Sequence, residues 1–249
     1  MKNLLKAEWI KLRNSDFTMT SIFILTASLV FTGFMAKRIT PFAGGNEWTS
    51  LRHLTLLLVF STIYPWLVSS VTVFLHKDEL KNRVWLNRIL SPQPFAAMLF
   101  AKVLFIGLFA AALYAVCVIE SLAFGLISGF PGPAPWFSWM LGFILNLLST
   151  FPLICTVLWL KFTSKEKTSL NIIVFICSLL SFGVSQSPLG LLFPWSFPVT
   201  ALIAMEKSVA VLIGSIVWFT AVSLLFFSLL LKQIRPYQKG GIQNESSRI

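Results

Sequence analysis

Six stretches of this chain are almost continuously apolar for about the thickness of a bilayer, and no other feature constrains its fold as strongly. They cover residues 17–36, 54–75, 95–124, 136–160, 168–185 and 209–231. About 20 apolar residues in a helix rising 1.5 Å per residue cross roughly 30 Å of hydrocarbon. Within that layer every backbone N–H and C=O must be satisfied by protein, so only helices or a closed barrel can cross it. A barrel strand alternates apolar and polar residues, and these runs do not. The expected fold class is all-α: a polytopic membrane protein with six transmembrane helices.

Composition agrees. The hydrophobic set makes up 56% of the 249 residues and the charged set 12%, whereas soluble domains hold about 45–50% and 25%. Six spans and their connections leave no room for a separate soluble domain. The net charge of +11 does not mark a nucleic-acid surface, because the Lys and Arg residues lie in short clusters between apolar runs. They read as topology signals and contacts with anionic lipid. Cys117, Cys155 and Cys177 fall inside apolar runs with no C-x-x-C pair or nearby histidines, so neither a disulfide nor a metal site is expected. The first apolar run exceeds the 7–15 residues of a signal-peptide core and is read as a retained span.

Lys and Arg beside spans are held in the cytoplasm. With the N-terminus inside, the cytoplasmic stretches carry four basic residues before the first span and five over residues 76–102 (Lys77, Lys81, Arg83, Arg88 and Lys102, the last just inside span three). Three more lie between spans four and five, and four follow the sixth. Lys37, Arg38, Arg52 and Lys207 stay outside. Both termini are therefore expected in the cytoplasm.

Residues 1–16 form an expected interfacial helix, with Leu5, Trp9 and Leu12 on one face rimmed by Lys2, Lys6, Lys11 and Arg13. The connection at 186–208 is apolar but broken by Pro188, Pro194 and Pro198, and is expected to dip back into the outer leaflet. The polar segment 233–249, with Gly240 and Gly241, reads as a disordered cytoplasmic tail.

Groups able to carry chemistry are few. Glu120 is the one acidic residue inside an expected span, and a carboxyl there marks either a functional site or a side chain reaching the headgroups. Asn146 and Pro152 in span four and Pro65 in span two are candidate packing or kink positions. Lys102 reads as a snorkelling depth anchor, and most tryptophans as belt residues. Gly125 and Gly129, followed by Pro131, Pro133 and Pro135, read as a helix exit. His53 and His76 flank opposite ends of span two and cannot share a site. There is no H-E-x-x-H, no G-x-S-x-G and no G-x-x-x-x-G-K-[ST], so no catalytic residues, cofactor or nucleotide site are expected and the chain is not read as an enzyme.

Three segments together resemble the ABC-2 type transporter permeases of bacteria. The opening Leu4-Leu5-Lys6-Ala7-Glu8-Trp9-Ile10-Lys11-Leu12 is similar to their "k-A-E-x-x-K-l" start. His76 to Lys102, with Lys77-Asp78-Glu79-Leu80-Lys81-Asn82, Leu86, Leu90 and Ser91-Pro92, resembles their cytoplasmic connection between spans two and three. Asn46-Glu47-Trp48 and the overall size resemble the permeases of lantibiotic self-immunity transporters.

The resemblance implies a half-transporter in the bacterial cytoplasmic membrane. It also implies a second permease, identical or homologous, and a separate cytoplasmic ATP-binding subunit, with an amphipathic antimicrobial peptide as substrate. It places the ATPase-coupling surface on Asp78, Glu79, Lys81, Arg83, Trp85 and Arg88, although Leu80, Val84, Trp85, Leu86, Ile89 and Leu90 do not share one helical face. Glu120 and Asn146 are the pathway or packing candidates. Two alternatives stand beside this reading: a small secondary carrier, and a membrane subunit that transports nothing. Coupled carriers place ionisable groups near mid-bilayer, and none is expected there.

Overall fold

The computed structural model describes residues 2–13, 15–43, 46–81, 95–163, 169–207 and 209–246, and among these there is no strand. Helix α1 spans Lys2–Arg13 and α2 Phe17–Ala43. Helix α3 (Glu47–Leu54) continues through a π-helix (Thr55–Ile63) into α4 (Tyr64–Lys81). Then come α5 (Phe95–Ile127), α6 (Trp136–Thr163) and α7 (Ser169–Val184). Two 3-10 turns, Pro188–Leu191 and Pro194–Ser196, lead to α8 (Phe197–Lys207) and α9 (Val209–Ser246).

Five segments are long and apolar enough to cross a membrane: Phe17–Thr40, Glu47–Leu75, Ala97–Ile127, Trp136–Thr163 and Ala210–Lys232. Helix α7, expected as the fifth of six spans, has 16 residues. That corresponds to about 24 Å, short of the hydrocarbon thickness. Beyond the exposed Asn171 near its start, its outward face is nonetheless apolar, with Ile172, Ile173, Phe175, Ile176, Leu179, Leu180 and Phe182 exposed while Leu170, Val174, Ser178 and Ser181 turn inward. An apolar outside around a seam holding serines is the inverse of a soluble helix and suits a lipid surround.

Helix ends and hydroxyls show how the backbone is satisfied. Asn46 caps α3 by accepting from the Trp48 N–H at 3.0 Å. Helix α5 ends in a Schellman motif: Gly129 takes φ 70°, the Phe130 N–H reaches Gly125 O at 2.9 Å and the Gly129 N–H reaches Leu126 O at 3.2 Å. Here the expected helix exit is realised. Gly125 has a second role, since a Cβ there would lie 2.4 Å from the indole of Trp48. Within the apolar helices, Ser21, Ser28, Thr40, Thr72, Thr156 and Ser178 donate to the carbonyl four residues back, which lets hydroxyls sit in an apolar layer.

The order of contacts fixes the relative directions. Thr26 meets Glu120, Phe34 meets Phe124 and Lys37 reaches Ser128, so α2 and α5 run parallel. The continuous α3–α4 rod returns between them. Its start lies at the far end, where Trp48 packs on Phe130, and its later part reaches the α1 end, where Lys102 bonds Leu75 O. Helix α6 lies at the centre, packed against α4, α5, α8 and α9, with Pro152 inside it.

Three details depart from the sequence expectations. On α1, Glu8 and Leu12 are buried and Trp9 is 53% exposed, so the inward stripe is spaced i, i+3, i+7 from Leu5 and a carboxyl takes the place expected for the indole. Trp48, Trp139 and Trp195 are buried core residues, while Trp136 and Trp218 face outward as a belt residue would. Residues 233–246, read as a disordered tail, continue α9 as helix to Ser246. Propagating a formed helix avoids the nucleation cost that an isolated polar segment faces.

The connection 186–208 reverses the chain by its two 3-10 turns and then α8, whose 11 residues are too few to cross. Ser196 donates to Gly190 O at 2.6 Å, tying the turns together, and Phe197, Val199, Ala201, Leu202 and Ala204 are buried.

Candidate functional site

Among the described residues, three polar clusters at helix contacts stand out in the apolar interior. The deepest centres on Tyr64, the first residue after the π-helix. In an α-helix, Pro65 would leave Ser61 O without a donor and press its ring against that carbonyl. The π pattern, in which the Tyr64 N–H bonds Val59 O, widens the turn ahead of the proline. Tyr64 is fully buried. Its hydroxyl donates to Asn146 Oδ1 and lies 3.2 Å from both Ala110 O and Thr150 Oγ1. Thr150 in turn donates to Asn146 O at 2.6 Å. Helices α4, α5 and α6 are thereby pinned at one point by one phenolic proton facing several acceptors. The Nδ2 of Asn146 is buried without a hydrogen-bond partner.

A second cluster joins α2 to α5. Thr26 Oγ1 donates to Glu120 Oε1 at 2.6 Å, and Glu120 Oε2 and the neighbouring Ser121 Oγ are buried without partners. Glu120 lies about two turns before Ser128, whose carbonyl accepts from Lys37. Its carboxyl is directed sideways onto α2 at a level where both helices are apolar. Elsewhere on α2, Ala27, Ser28 and Phe31 with Leu58, Thr62 and Ile63 of the π-helix line an open groove of about 430 Å³. A larger, almost wholly apolar crevice of about 520 Å³ opens between α5 and α6, lined among others by Tyr114, Val118, Trp136 and Phe143.

The third cluster lies at the opposite end of α5. Glu8 Oε1 is 3.1 Å from Lys11 Nζ and 3.9 Å from Lys102 Nζ, and Lys102 Nζ donates to Leu75 O at 3.3 Å. The side chains of Glu8 and Lys102 are 5% and 6% exposed. Lys102 is thus not a cation reaching into headgroups but a buried partner joining three helices. Its basic stem next to apolar α5 suggested snorkelling. The carboxyl that meets it is far away in sequence and became visible only with α1 in place.

The expected residues therefore separate. Asn146 and Glu120 belong to two different clusters, each completed by groups that sequence reasoning did not single out, namely Tyr64 with Thr150 and Thr26. Asp78, Glu79 and Lys81 stand in the last turn of α4. Arg83, Trp85 and Arg88 lie outside the described residues. Among the described residues no group of three or more His, Cys, Asp or Glu side chains is placed to hold a metal ion.

Comparison with known proteins adds one finding. No curated protein and no solved structure matches the chain significantly. The profile of the family described as ABC-2 family transporter protein matches residues 4–182, from α1 to the end of α7. A bundle of long apolar helices with polar groups at helix crossings is consistent with that match. With the greater part of its length matched, this chain belongs to the ABC-2 family of transporter proteins.

Proposed function

We propose that the chain is the membrane half of an ATP-driven transporter. It crosses the membrane six times with both termini in the cytoplasm, and it pairs with a second permease and a separate ATP-binding subunit. Family membership over residues 4–182 carries this reading. The missing P-loop supports the separate subunit, because work done on the bundle must then arrive through a cytoplasmic surface. The segment that best suits that role includes Asp78, Glu79, Lys81, Arg83, Trp85 and Arg88, since aromatic and arginine side chains dominate binding energy at interfaces. The substrate proposed is an amphipathic antimicrobial peptide, supported by the resemblance to lantibiotic self-immunity permeases. Glu120 and Asn146 lie beside its path or pack the helices that frame it.

The test is purification of the tagged chain from its native membrane in mild detergent. A P-loop ATPase subunit is expected to accompany it. Trp85→Ala and Arg83→Lys should each reduce its recovery at least about tenfold while leaving membrane insertion intact. A basic loop held only by anionic headgroups would tolerate both changes, and full recovery with the two combined would refute the coupling surface.

Topology is checked separately. Reporter fusions after Gly44, Lys165 and Gly240 should read outside, inside and inside, and an outside signal at Gly240 would break the six-crossing arrangement. A secondary carrier is the competing reading, and the Glu120 carboxyl buried between α2 and α5 is the observation in its favour. Purification without any ATPase subunit would favour it.

A further inference from the structure

The two helices that bracket the proposed coupling segment are α4 and α5, and both are gripped at their bases by the same side chain. Lys102 lies two turns into α5, and its ammonium donates to Leu75 O, less than two turns from the end of α4. The same ammonium faces Glu8 of α1 at 3.9 Å, and both side chains are almost fully buried. Helix α1 has 12 residues, a length at which an isolated helix is marginal in water, so its position is set by what it docks on. Leu12 and the partly buried Leu4 and Leu5 supply apolar contact, which is non-directional and tolerates sliding. The buried charge pair adds an attraction that weakens as the two helices part, while Lys11 of the same helix holds the Glu8 carboxylate at 3.1 Å. The pair is also continuous with the rest of the bundle, because only three residues separate α1 from α2, and Ser15 among them donates to Leu12 O at 2.7 Å.

We propose that Glu8, acting through Lys102, is a positioning residue that passes displacement of the α4 and α5 bases to α1 and from there to α2. The inference rests on the ATP-driven reading and deepens it by naming a route from the coupling segment into the bundle. Apolar docking alone would let the base of α4 and α5 move beneath α1. With the pair intact the three helices move as one body, and α2 carries that motion toward the Thr26–Glu120 contact.

The experiment is a double-mutant cycle on the full complex with its ATP-binding subunit, using Glu8→Gln, Lys102→Gln and both together. Two quantities are read: ATP hydrolysis above that of the subunit alone, and the subunit recovered per permease. Each single substitution is expected to lower the permease-dependent hydrolysis about tenfold and leave recovery within about twofold of wild type. The double variant should lose clearly less than the product of the two single losses, because the Glu8–Lys102 part is shared while the Glu8–Lys11 and Lys102–Leu75 bonds are lost separately. Glu8→Asp keeps the charge on a shorter stem and should give an intermediate rate, which guards against a fold defect in Glu8→Gln.

Losses that multiply to about a hundredfold in the double variant, full hydrolysis in Glu8→Gln, or recovery falling in step with hydrolysis would each overturn the proposal. Failure of the ATP-driven reading looks different: the wild-type chain itself would bring down no ATPase subunit, and the proposal would fall with it.

Discussion

Replacing Tyr64 by alanine is expected to destabilise the bundle by about 3–5 kcal/mol, the range for removing a large aromatic side chain from a packed core. Tyr64 has no exposed surface, and its ring packs on Phe60 at 5.2 Å, which in turn packs on Tyr114 at 5.2 Å. The hydroxyl is separable from the ring. Tyr64→Phe keeps the packing and removes the donor shared by Asn146, Ala110 and Thr150, and hydrogen bonds between membrane helices contribute about 0.6 kcal/mol on average and at most about 1.7. The phenylalanine variant should therefore cost about 1 kcal/mol, several-fold less than alanine. Denaturant titration in mixed micelles, followed by tryptophan fluorescence, measures both. An alanine variant within about 1 kcal/mol of wild type would show that the π-helix junction is not where the bundle is held.

How much of this cluster could be read in the sequence follows from which interactions are local. Runs of about 20 apolar residues are a one-dimensional signal, so the long spans are visible without any tertiary information. The Gly129 exit is equally local, because φ of 70° beside a run of prolines needs only its neighbours. Asn146 stands out as an amide in an apolar helix, but its partner is 82 residues away, and no periodicity connects the two. The π-helix at Thr55–Ile63 is an apolar run like those of the long spans, and only Pro65 hints at a local break.

The reading of α1 failed for a different physical reason. Positions 5, 9 and 12 and positions 5, 8 and 12 both describe one helical face, and hydrophobicity alone favours Trp9 over Glu8. Burying a carboxyl is costly by itself. It becomes tolerable once Lys11 and Lys102 stand 3.1 and 3.9 Å away, and Lys102 belongs to a helix that begins far along the chain. Helix α7 lies between these cases: its apolar character is plain in the sequence, and its 16-residue length depends on where the turn at Ser185 falls.

Glu120→Leu is expected to raise stability while lowering function, and the opposite signs make it the sharpest probe of the α2–α5 contact. Glu120 has one oxygen bonded to Thr26 at 2.6 Å and the other buried without a partner. A half-satisfied carboxyl is a poor structural element, because desolvation outweighs what a single hydroxyl returns. Leucine is close to it in volume and removes both the polar burial and the requirement on Thr26. Replacing buried ionic groups with apolar residues of similar size is often neutral or stabilising by about 1–4 kcal/mol, so a rise within that range is expected in the same titration. If the carboxyl is retained for function, hydrolysis by the complex should fall in the leucine variant even as its stability rises, a trade found where sites are kept at a cost to the fold. Glu120→Gln should fall between, since an amide keeps an acceptor for Thr26 and loses the acid. A loss of about 2 kcal/mol or more with leucine would assign Glu120 to holding α2 on α5. Unchanged hydrolysis with raised stability would remove Glu120 from the transport path.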